Sequence, residues 1–366
     1  MKKALFIAHH RLDRSPGQRY RFEQYFSYLE EHGITCKLSN IISEEDDKVL
    51  YSTGNYIKKA LIALKAYRQR KKELKSIAEY DLVLIYREAI LTGSIFFEKK
   101  LAKLGVPILF DFDDAIWVKD VSEGNQRLSF LKNSNKIKEI LPLCKHVVTG
   151  NSYLKGFALQ YNKNVSIIPS TIDTLKYRQL RVSNNEEVTI GWIGSHTTIK
   201  HFETIVPVLI RLKEKYKRKI EFKVIGDPIY HNSDLGINGI AWDNSKEVEF
   251  FNMLDIGVMP LPEDEWTKGK CGMKGLLYMS VNTPAVMSSV GMNSEIVSSS
   301  IINGGVRDSF KISTSDASIS ISPEGRFKLI VPSGLSRTLH VTFNTNSLLI
   351  FSAMLKAFGV SGSITI

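Results

Sequence analysis

A turn that joins a predicted strand to a predicted helix carries residue types suited to binding phosphate. It comprises Gly191–Ser195, follows the predicted strand Val188–Ile193, and has Lys200 five residues further on. Glycine lets the backbone approach a ligand closely, and lysine offsets the negative charge of a departing diphosphate. We therefore predict phosphate contacts from Gly194, Ser195 and Lys200, with an ordinary tight turn as the alternative.

A second stretch, Asp255–Val297, predicts a strand, a loop, a helix and another strand. The helix over Gly272–Val281 has apolar residues at helical spacing, and Lys270 stands just before it. Free backbone N–H groups at a helix N-terminus, together with lysine, attract anions. We predict that Lys270, Gly272 and Lys274 contact phosphate, although Lys274 also fits a solvated helix position.

Three carboxylates follow the predicted buried strand Pro107–Phe110, namely Asp111, Asp113 and Asp114. Such a group repels itself unless a cation or a proton intervenes. One interpretation is a Mg²⁺ or Mn²⁺ site. The prediction of two nucleotide-type domains argues against a metal site. Another is a helix N-cap for a helix starting at Ala115.

The elements that must position these residues alternate between strand and helix in both halves of the chain. This alternation predicts an α/β protein of two facing, doubly wound, Rossmann-like domains whose ligands bind beyond the carboxyl ends of the strands. We place an N-terminal acceptor domain at residues 1–170, a linker at 171–187 and a nucleotide-sugar domain at 188–297.

The composition favours anionic partners and a reducing compartment. The 366-residue chain has a net charge of +11, and its three cysteines lack paired spacing, which argues against a zinc site or a disulfide framework. We find neither a signal peptide nor a membrane span. A cytoplasmic location is therefore expected, with peripheral association at the inner membrane face as an extension.

The segment 298–366 differs from the rest, since serine becomes abundant and charges thin out. Alternation over Ala317–Ile321 and Phe327–Val331 predicts a hairpin in a β-rich tail, and Leu348–Phe358 has helical periodicity. A reading-frame change or fusion and a divergent native region both remain open.

Three words of the sequence resemble the group 1, or family four, retaining glycosyltransferases: DIGVMPL, GKCGMKGLLYMSVNTPAV and SSVGMNSEIV. The resemblance implies the GT-B fold, a nucleotide-sugar donor as co-substrate, and retention of anomeric configuration. It also implies that Asp113 or Asp114 lies on the acceptor side, where it orients the acceptor hydroxyl or accepts its proton. We expect no metal and no other cofactor, with Lys200 and Lys270 stabilising the leaving group.

The sequence departs from this family at two points. The family's two-glutamate motif aligns with Gly269 and Leu277, and Ser195 stands where the family usually has arginine. The Leu277 side chain cannot hydrogen-bond a ribose. Either Glu263 or Glu265 makes that hydrogen bond instead, or the sugar is recognised in another way. The remaining donor-binding predictions are Asn293 and Glu295, the latter with backbone capping as an alternative.

The loops after the first and third predicted strands complete the candidate site. In the family the first loop carries a glycine near the diphosphate, a role that Gly17 suits. His10, Arg19 and Arg87 are predicted to contact the acceptor. The alternatives are a structural role for His10 and an ion pair between Arg87 and Glu88.

The predicted function is transfer of a sugar from a nucleotide-sugar donor to an acceptor hydroxyl of a glycan or lipid-linked acceptor, in cell-surface polysaccharide or glycolipid synthesis. A nucleotide-sugar epimerase-like enzyme and a non-catalytic nucleotide-binding relative remain as alternatives. The basic segment Ile57–Lys75 either rests on an anionic membrane surface or is a solvated helix. Dispersed basic residues and the lack of a base-stacking module argue against nucleic acid.

Overall fold

The computed structural model describes residues 2–118, 133–180 and 187–296. The chain divides into two compact units. Among the described residues, the first contains those up to Thr171 together with Gly269–Cys271, and the second contains Ile172–Lys268 and residues 272–296. The division falls at the start of the predicted linker, whereas Gly269–Cys271 had been placed in the second domain by sequence. The predicted hairpin and helix of the tail lie outside the described residues.

The first unit is built on a six-stranded parallel sheet of order β2-β1-β3-β4-β5-β6. Short apolar runs, buried on both faces, form its central strands, as is typical of parallel sheets. The order reverses between β1 and β3, and ligands of such sheets bind at this switch point. The strands are β1 (Lys2–Ile7), β2 (Ile34–Ser39), β3 (Leu82–Tyr86), β4 (Ile108–Phe112), β5 (His146–Thr149) and β6 (Val165–Ile167).

Seven helices of the first unit are described. They are α1 (Pro16–Arg21), α2 (Phe26–Glu31), α3 (Glu44–Leu50), α4 (Tyr56–Glu73), α5 (Phe96–Lys103), α6 (Lys136–Ile140) and α7 (Ser152–Ala158). The single helix predicted over Arg19–His32 is interrupted by a 3₁₀ turn at Glu23–Tyr25. Sequence reasoning missed α3, although Ser43 and Asp46 form a capping box at its start.

The second unit has a four-stranded parallel sheet of order β12-β11-β7-β8. Its strands are β7 (Val188–Ile193), β8 (Ile220–Ile225), β11 (Ile256–Met259) and β12 (Ala285–Met287), while β9 (His231–Asn232) and β10 (Ile237–Asn238) form a small antiparallel pair. The order reverses between β7 and β11. The switch point of this sheet therefore lies beyond the end of β7.

The helices of the second unit are short, and one prediction about them is wrong. They are α8 (Ile199–Glu203), α9 (Val206–Tyr216), α10 (Glu247–Asn252), α11 (Glu265–Lys268) and α12 (Met273–Ser280), with residues 292–296 also helical. The continuous helix predicted over Ile199–Tyr216 is divided into α8 and α9. Pro207 sits in the first turn of α9, where its missing N–H costs no helical hydrogen bond.

Close backbone contacts fix the second sheet against its helices. A Cβ at Gly257 would overlap the ring of Tyr278, and a Cβ at Gly275 would overlap the sulfur of Met287. Trp192, Phe202 and Val224 lie in the buried core of this unit. Both units are thus Rossmann-like, which confirms the predicted α/β fold class. No described helix is long and apolar enough to cross a membrane.

Candidate functional site

The carboxyl ends of β1, β3 and β4 form the first crest, a group of charged residues in the first unit. Asp111, at the end of β4, accepts two hydrogen bonds from Arg21, at 3.0 Å from Nε and 2.8 Å from Nη2. The Arg21 side chain is only 1% exposed and also donates to the Ile168 carbonyl. Burial opposes its charge, yet Asp111 raises the pKa of Arg21 above its ordinary value. Arg21 is therefore an internal counter-ion of Asp111.

Arg87 joins the other two carboxylates of the first crest. Its Nη2 lies 2.7 Å from Asp113 Oδ1 and also contacts Asp114, while the Tyr86 hydroxyl donates to Asp113 at 2.8 Å. Burial works against ionisation, but Arg87 outweighs it and lowers the pKa of Asp113. Asp113 is thus a carboxylate at neutral pH. Arg87 thus forms ion pairs with Asp113 and Asp114, whereas the sequence offered Glu88 as its ion-pair partner.

Lys270 supplies the third positive charge of the first crest. Its Nζ lies 2.8 Å from Asp114 Oδ1, and the Asn151 side chain donates to the carbonyls of Gly269 and Lys270. Cys271 lies beside Asp113, with Sγ 3.3 Å from that residue's carbonyl oxygen. These contacts place Lys270 among the acidic residues of the first unit.

The two alternatives for the acidic stretch can now be compared with the geometry. Arg21, Arg87 and Lys270 occupy the positions from which a cation would compensate the carboxylates. Among the described residues, no group of three or more His, Cys, Asp or Glu side chains is arranged to hold a metal ion. The proposed N-cap is wrong, because residues 115–118 do not begin a helix.

The loop after β1 packs against the same group. A Cβ at Gly17 would overlap the Tyr86 hydroxyl and lie 3.3 Å from Asp113 Oδ2, so only glycine fits there. His10 Nε2 lies 3.2 Å from the Tyr51 hydroxyl, and burial lowers the pKa of His10 to about 4. Arg19 is buried beside the ring of Tyr20. The structure thus brings Gly17 and Arg87 to the aspartates, while the acceptor roles stay predictions.

The loops after β7 and β8, together with the start of α12, form the second crest. The Gly194 amide donates to the Ile225 carbonyl at 2.9 Å, and a Cβ on Gly194 would overlap Trp192. That Cβ would also lie 2.8 Å from Lys274 Nζ. The Lys274 ammonium lies 4.5 Å from the centre of a Trp192 ring, within cation–π range. Gly194 and Lys274, 80 residues apart in the numbering, are therefore neighbours.

The other predicted donor-binding residues of the second unit are more dispersed. Gly272 has a φ of +67° and lies next to Asn293, whose Oδ1 is buried with no hydrogen-bond partner among the described residues. Lys200 is exposed, and the Glu263 side chain is 75% exposed. Ser195 and Glu295, the other two predicted donor-binding residues, are both exposed.

Leu277 is buried in the core, as expected for a residue unable to bind a ribose. Sequence reasoning missed His196, whose imidazole Nδ1 lies 2.9 Å from the carboxylate of Asp227. The signal was present, because a polar loop residue follows each of two neighbouring strands, β7 and β8. It also missed Asn151 as the residue that holds the backbone of Gly269 and Lys270.

Comparisons with known proteins show the fold. No protein-family model and no curated protein matches the chain. A structure described as apo OtsA is 12% identical, with a TM-score of 0.55 over 98% of this chain and 95% of that one. An E. coli trehalose-6-phosphate structure bound with UDP-2-fluoro glucose gives 12% identity and 0.54 over the same shares.

A third neighbour is the α,α-trehalose 6-phosphate synthase from Burkholderia multivorans. It is 11% identical, with a TM-score of 0.52 over 81% of this chain and 86% of that chain. At these identities the likeness concerns backbone architecture alone. The chain therefore has the fold of the GT-B glycosyltransferases.

Proposed function

We propose that this protein is a glycosyltransferase that moves a sugar from a nucleotide-sugar donor to an acceptor hydroxyl. The observation that carries the proposal is the GT-B fold, in which the second crest brings Gly194 and Lys274 together at the switch point. One of the similar structures is bound with UDP-2-fluoro glucose, a nucleotide sugar. We extend that ligand class to this chain.

The donor diphosphate is proposed to bind at the second crest. Because Gly194 has no Cβ, the Trp192 ring and the Lys274 side chain pack directly against its backbone, and the face of Trp192 holds Lys274 in place. A lysine fixed in place loses less conformational freedom on binding than a mobile one. Ser195 would add a contact from the same loop and Lys200 one from α8, while Gly272 and Asn293 would add contacts from the region around α12.

The acceptor is proposed to bind at the first crest. Asp113 pairs with Arg87 and Asp114 with Lys270, and each carboxylate can also accept a hydrogen bond from a hydroxyl group. Arg87, with its side chain 33% exposed, is proposed to contact the acceptor, as are His10 and Arg19. Lys270 pairs with Asp114 and would therefore compensate the charge of the acidic residues. We assign stabilisation of the leaving diphosphate mainly to Lys274 and Lys200.

Membership of group 1, retention of anomeric configuration and a metal-independent mechanism are further parts of the proposal. They rest on the words DIGVMPL and SSVGMNSEIV and on the lysines of the second crest, which would offset charge on the leaving diphosphate. We propose no cofactor beyond the donor. The process served would be polysaccharide or glycolipid synthesis at the cytoplasmic side.

We also propose that the outer face of α4 contacts an anionic membrane surface. Ile57, Leu61 and Leu64 are 81, 59 and 42% exposed and share one face of the helix. That face continues into exposed basic residues, which are Arg68, Lys71, Lys72 and Lys75. Each basic residue near an anionic surface contributes about 1 kcal/mol. A lipid-linked acceptor would be reached from such a position.

Calorimetric titration with UDP-, GDP- and ADP-sugars tests the donor site. We expect one nucleotide class to bind, and expect Lys274→Met and Lys200→Ala each to weaken it about tenfold, the effect of one lost contact to a charged group. The matched control is Lys215→Met, since Lys215 also lies over an aromatic ring, that of Tyr216, but away from the crest.

Absence of binding to every nucleotide sugar would contradict the proposal. Lys270→Ala, by contrast, should alter donor affinity less than Lys274→Met, because Lys270 pairs with Asp114. Conversion of a free nucleotide sugar without acceptor would favour the epimerase-like alternative. Binding without turnover across an acceptor panel would favour a non-catalytic role.

Sedimentation with phosphatidylcholine vesicles, with and without phosphatidylglycerol, tests the membrane face. Wild-type protein should bind only the anionic vesicles, and both added salt and Ile57→Glu with Leu61→Glu should release it. Leu175→Glu is the control, because Leu175 is 84% exposed but lies in the second unit. Equal binding of both variants would contradict the assignment to α4.

A further inference from the structure

His196 and Asp227 form a pair on the second crest that the proposed contacts leave unused. His196 follows β7 and its side chain is 60% exposed, whereas the Asp227 side chain is 2% exposed. Oδ2 of Asp227 contacts the imidazole Nδ1 at 2.9 Å. Oδ1 is buried and has no hydrogen-bond partner among the described residues. A buried carboxylate thus has an exposed imidazole as its one described side-chain partner.

The contact fixes which nitrogen of His196 faces outward. A carboxylate only accepts hydrogen bonds, so Nδ1 must carry the proton. Nε2, on the far side of the ring from Asp227, is then the nitrogen available to a ligand. A phosphate oxygen that accepted a hydrogen bond from Nε2 would hold the ring between two anions, with a proton on each ring nitrogen. Asp227 is thereby placed to orient the ring toward such a ligand.

Backbone packing keeps this pair at the same crest as Lys274. Gly226, just before Asp227, has a φ of +105°, and a Cβ there would overlap the Gly194 carbonyl oxygen. Gly194 in turn lies next to Lys274 and two residues before His196. The loops after β7 and β8 are therefore fixed against each other where Lys274 Nζ lies.

The charged groups around the pair are of both signs. Asp227 faces the ring directly, and Lys274 borders Gly194 on the other side of the loop. Tyr230, in the loop after β8, lies near Asp227 and Glu203. The ring itself is largely in solvent, so a bound anion would meet few competing groups there.

We propose that His196, oriented by Asp227, donates a hydrogen bond from Nε2 to the diphosphate of the nucleotide-sugar donor. This inference rests on the proposed function. It supplies a positive contact at the loop position where Ser195 offers a hydroxyl and no charge. In this assignment His196 touches the donor, and Asp227 is a positioning residue. Removing either side chain is therefore expected to weaken donor binding.

The test uses the full chain and whichever of UDP-, GDP- or ADP-glucose binds best in the screen above. We expect His196→Gln to weaken binding about tenfold, the effect of one lost contact to a charged group. His231→Gln is the control, since His231 is exposed in the same unit but pairs with neutral Asn238.

Asp227→Asn separates positioning from folding. If Asp227 acts by orienting His196, Asp227→Asn should weaken donor binding in the wild-type background and have no further effect in His196→Gln. If Asp227 only stabilises the loop, Asp227→Asn should weaken binding equally in both backgrounds, and its positioning role would be wrong. The proposal is overturned if His196→Gln binds the donor like wild type while Lys274→Met still loses affinity. Loss of all nucleotide-sugar binding in wild type would instead overturn the proposed function.

Discussion

The two crests handle charge in opposite ways. In the first unit Asp111, Asp113 and Asp114 are compensated within the unit by Arg21, Arg87 and Lys270. In the second unit the basic residues of the crest are partly or largely exposed, as Lys200, His196 and Lys274 show. The same Rossmann-like architecture therefore supports a closed ionic network in one unit and cationic side chains open to solvent in the other.

The difference indicates where binding energy is available. A buried and fully paired charge contributes to a ligand only if its existing partner is displaced, which is costly. A positive group that faces solvent can gain a phosphate partner with little desolvation. We infer that the first crest mainly positions rigid hydrogen-bond acceptors, whereas the second crest attracts an anion. The following variants test that contrast.

Arg21→Ala is expected to have the largest effect on folding. It leaves the Asp111 carboxylate buried without its counter-ion, and removing one member of a buried ion pair costs about 3–5 kcal/mol. Urea unfolding measures the loss. Cysteine labelling assigns it to the first unit, because Cys36, Cys144 and Cys271 all belong there.

Arg11→Ala is the matched control for Arg21→Ala. The Arg11 side chain is 35% exposed and contacts Asp47 at 3.2 Å, so its loss should cost about 0–1 kcal/mol. If the two variants were equally stable, the first crest would not depend on buried charge compensation. The contrast between the crests would then be wrong.

Acidification should weaken the first crest next. Burial lowers the pKa of His10 from 6.5 to about 4, so the neutral ring is favoured in the folded protein. The resulting stability is present above pH 6.5 and is lost as pH falls toward 4, with an upper bound of about 3 kcal/mol. Asp113, whose pKa is lowered by Arg87 despite burial, loses its contribution only below its ordinary value.

Urea titrations at several pH values should show a smaller pH dependence for His10→Gln than for wild type. Burial also lowers the pKa of His9, so the double variant should flatten the profile further. His32→Gln, at an exposed position of the same unit, should follow wild type. An unchanged profile in His10→Gln would show that the neutral His10 ring is not favoured by folding.

The sequence predicted the strands well because buried apolar runs are local signals. β7 has the predicted bounds, Val188–Ile193, and β4 lies within two residues of the predicted strand Pro107–Phe110. The helix breaks were missed, since Pro207 is compatible with a first turn and periodicity alone does not show where that turn begins. The cap at Ser43 is visible in the sequence, but α3 was missed because its acidic residues show no apolar periodicity.

Site residues were predictable as types but not as pairs. Lys270 lies four residues before Lys274, and both suit a phosphate, yet they belong to different units. That assignment depends on Asp114 and Asn151, which lie more than a hundred positions away along the chain. His196 and Asp227 are separated by 31 positions, and only the adjacency of β7 and β8 brings them together.

Gly194→Ala should affect the second crest more than the first. The added Cβ would overlap Trp192 and crowd Lys274, and overpacking of this kind costs about 1–3 kcal/mol. Tryptophan fluorescence during urea unfolding reads this region because Trp192 is the residue displaced. We also expect weaker nucleotide-sugar binding, since the added methyl group would displace the Lys274 ammonium from its position beside the loop.

Gly156→Ala is the control for that substitution. Gly156 lies inside α7 of the first unit, and nothing lies within 4 Å of an added Cβ. Alanine should therefore stabilise the helix by up to about 1 kcal/mol. If Gly194→Ala were as well tolerated as Gly156→Ala, close packing of the second crest would be excluded as the reason for its glycine.

Lys200→Ala should have the smallest effect on folding and still lower donor affinity. Lys200 is exposed, so its removal should change the free energy of unfolding by no more than about 0.5 kcal/mol. Parallel urea unfolding and donor titration on one preparation give both quantities. A residue that contributes to binding but hardly to stability is what an open crest requires, because its charge has no internal role to lose. A stability loss comparable to that of Arg21→Ala would instead mean that the second crest, too, depends on its own charges.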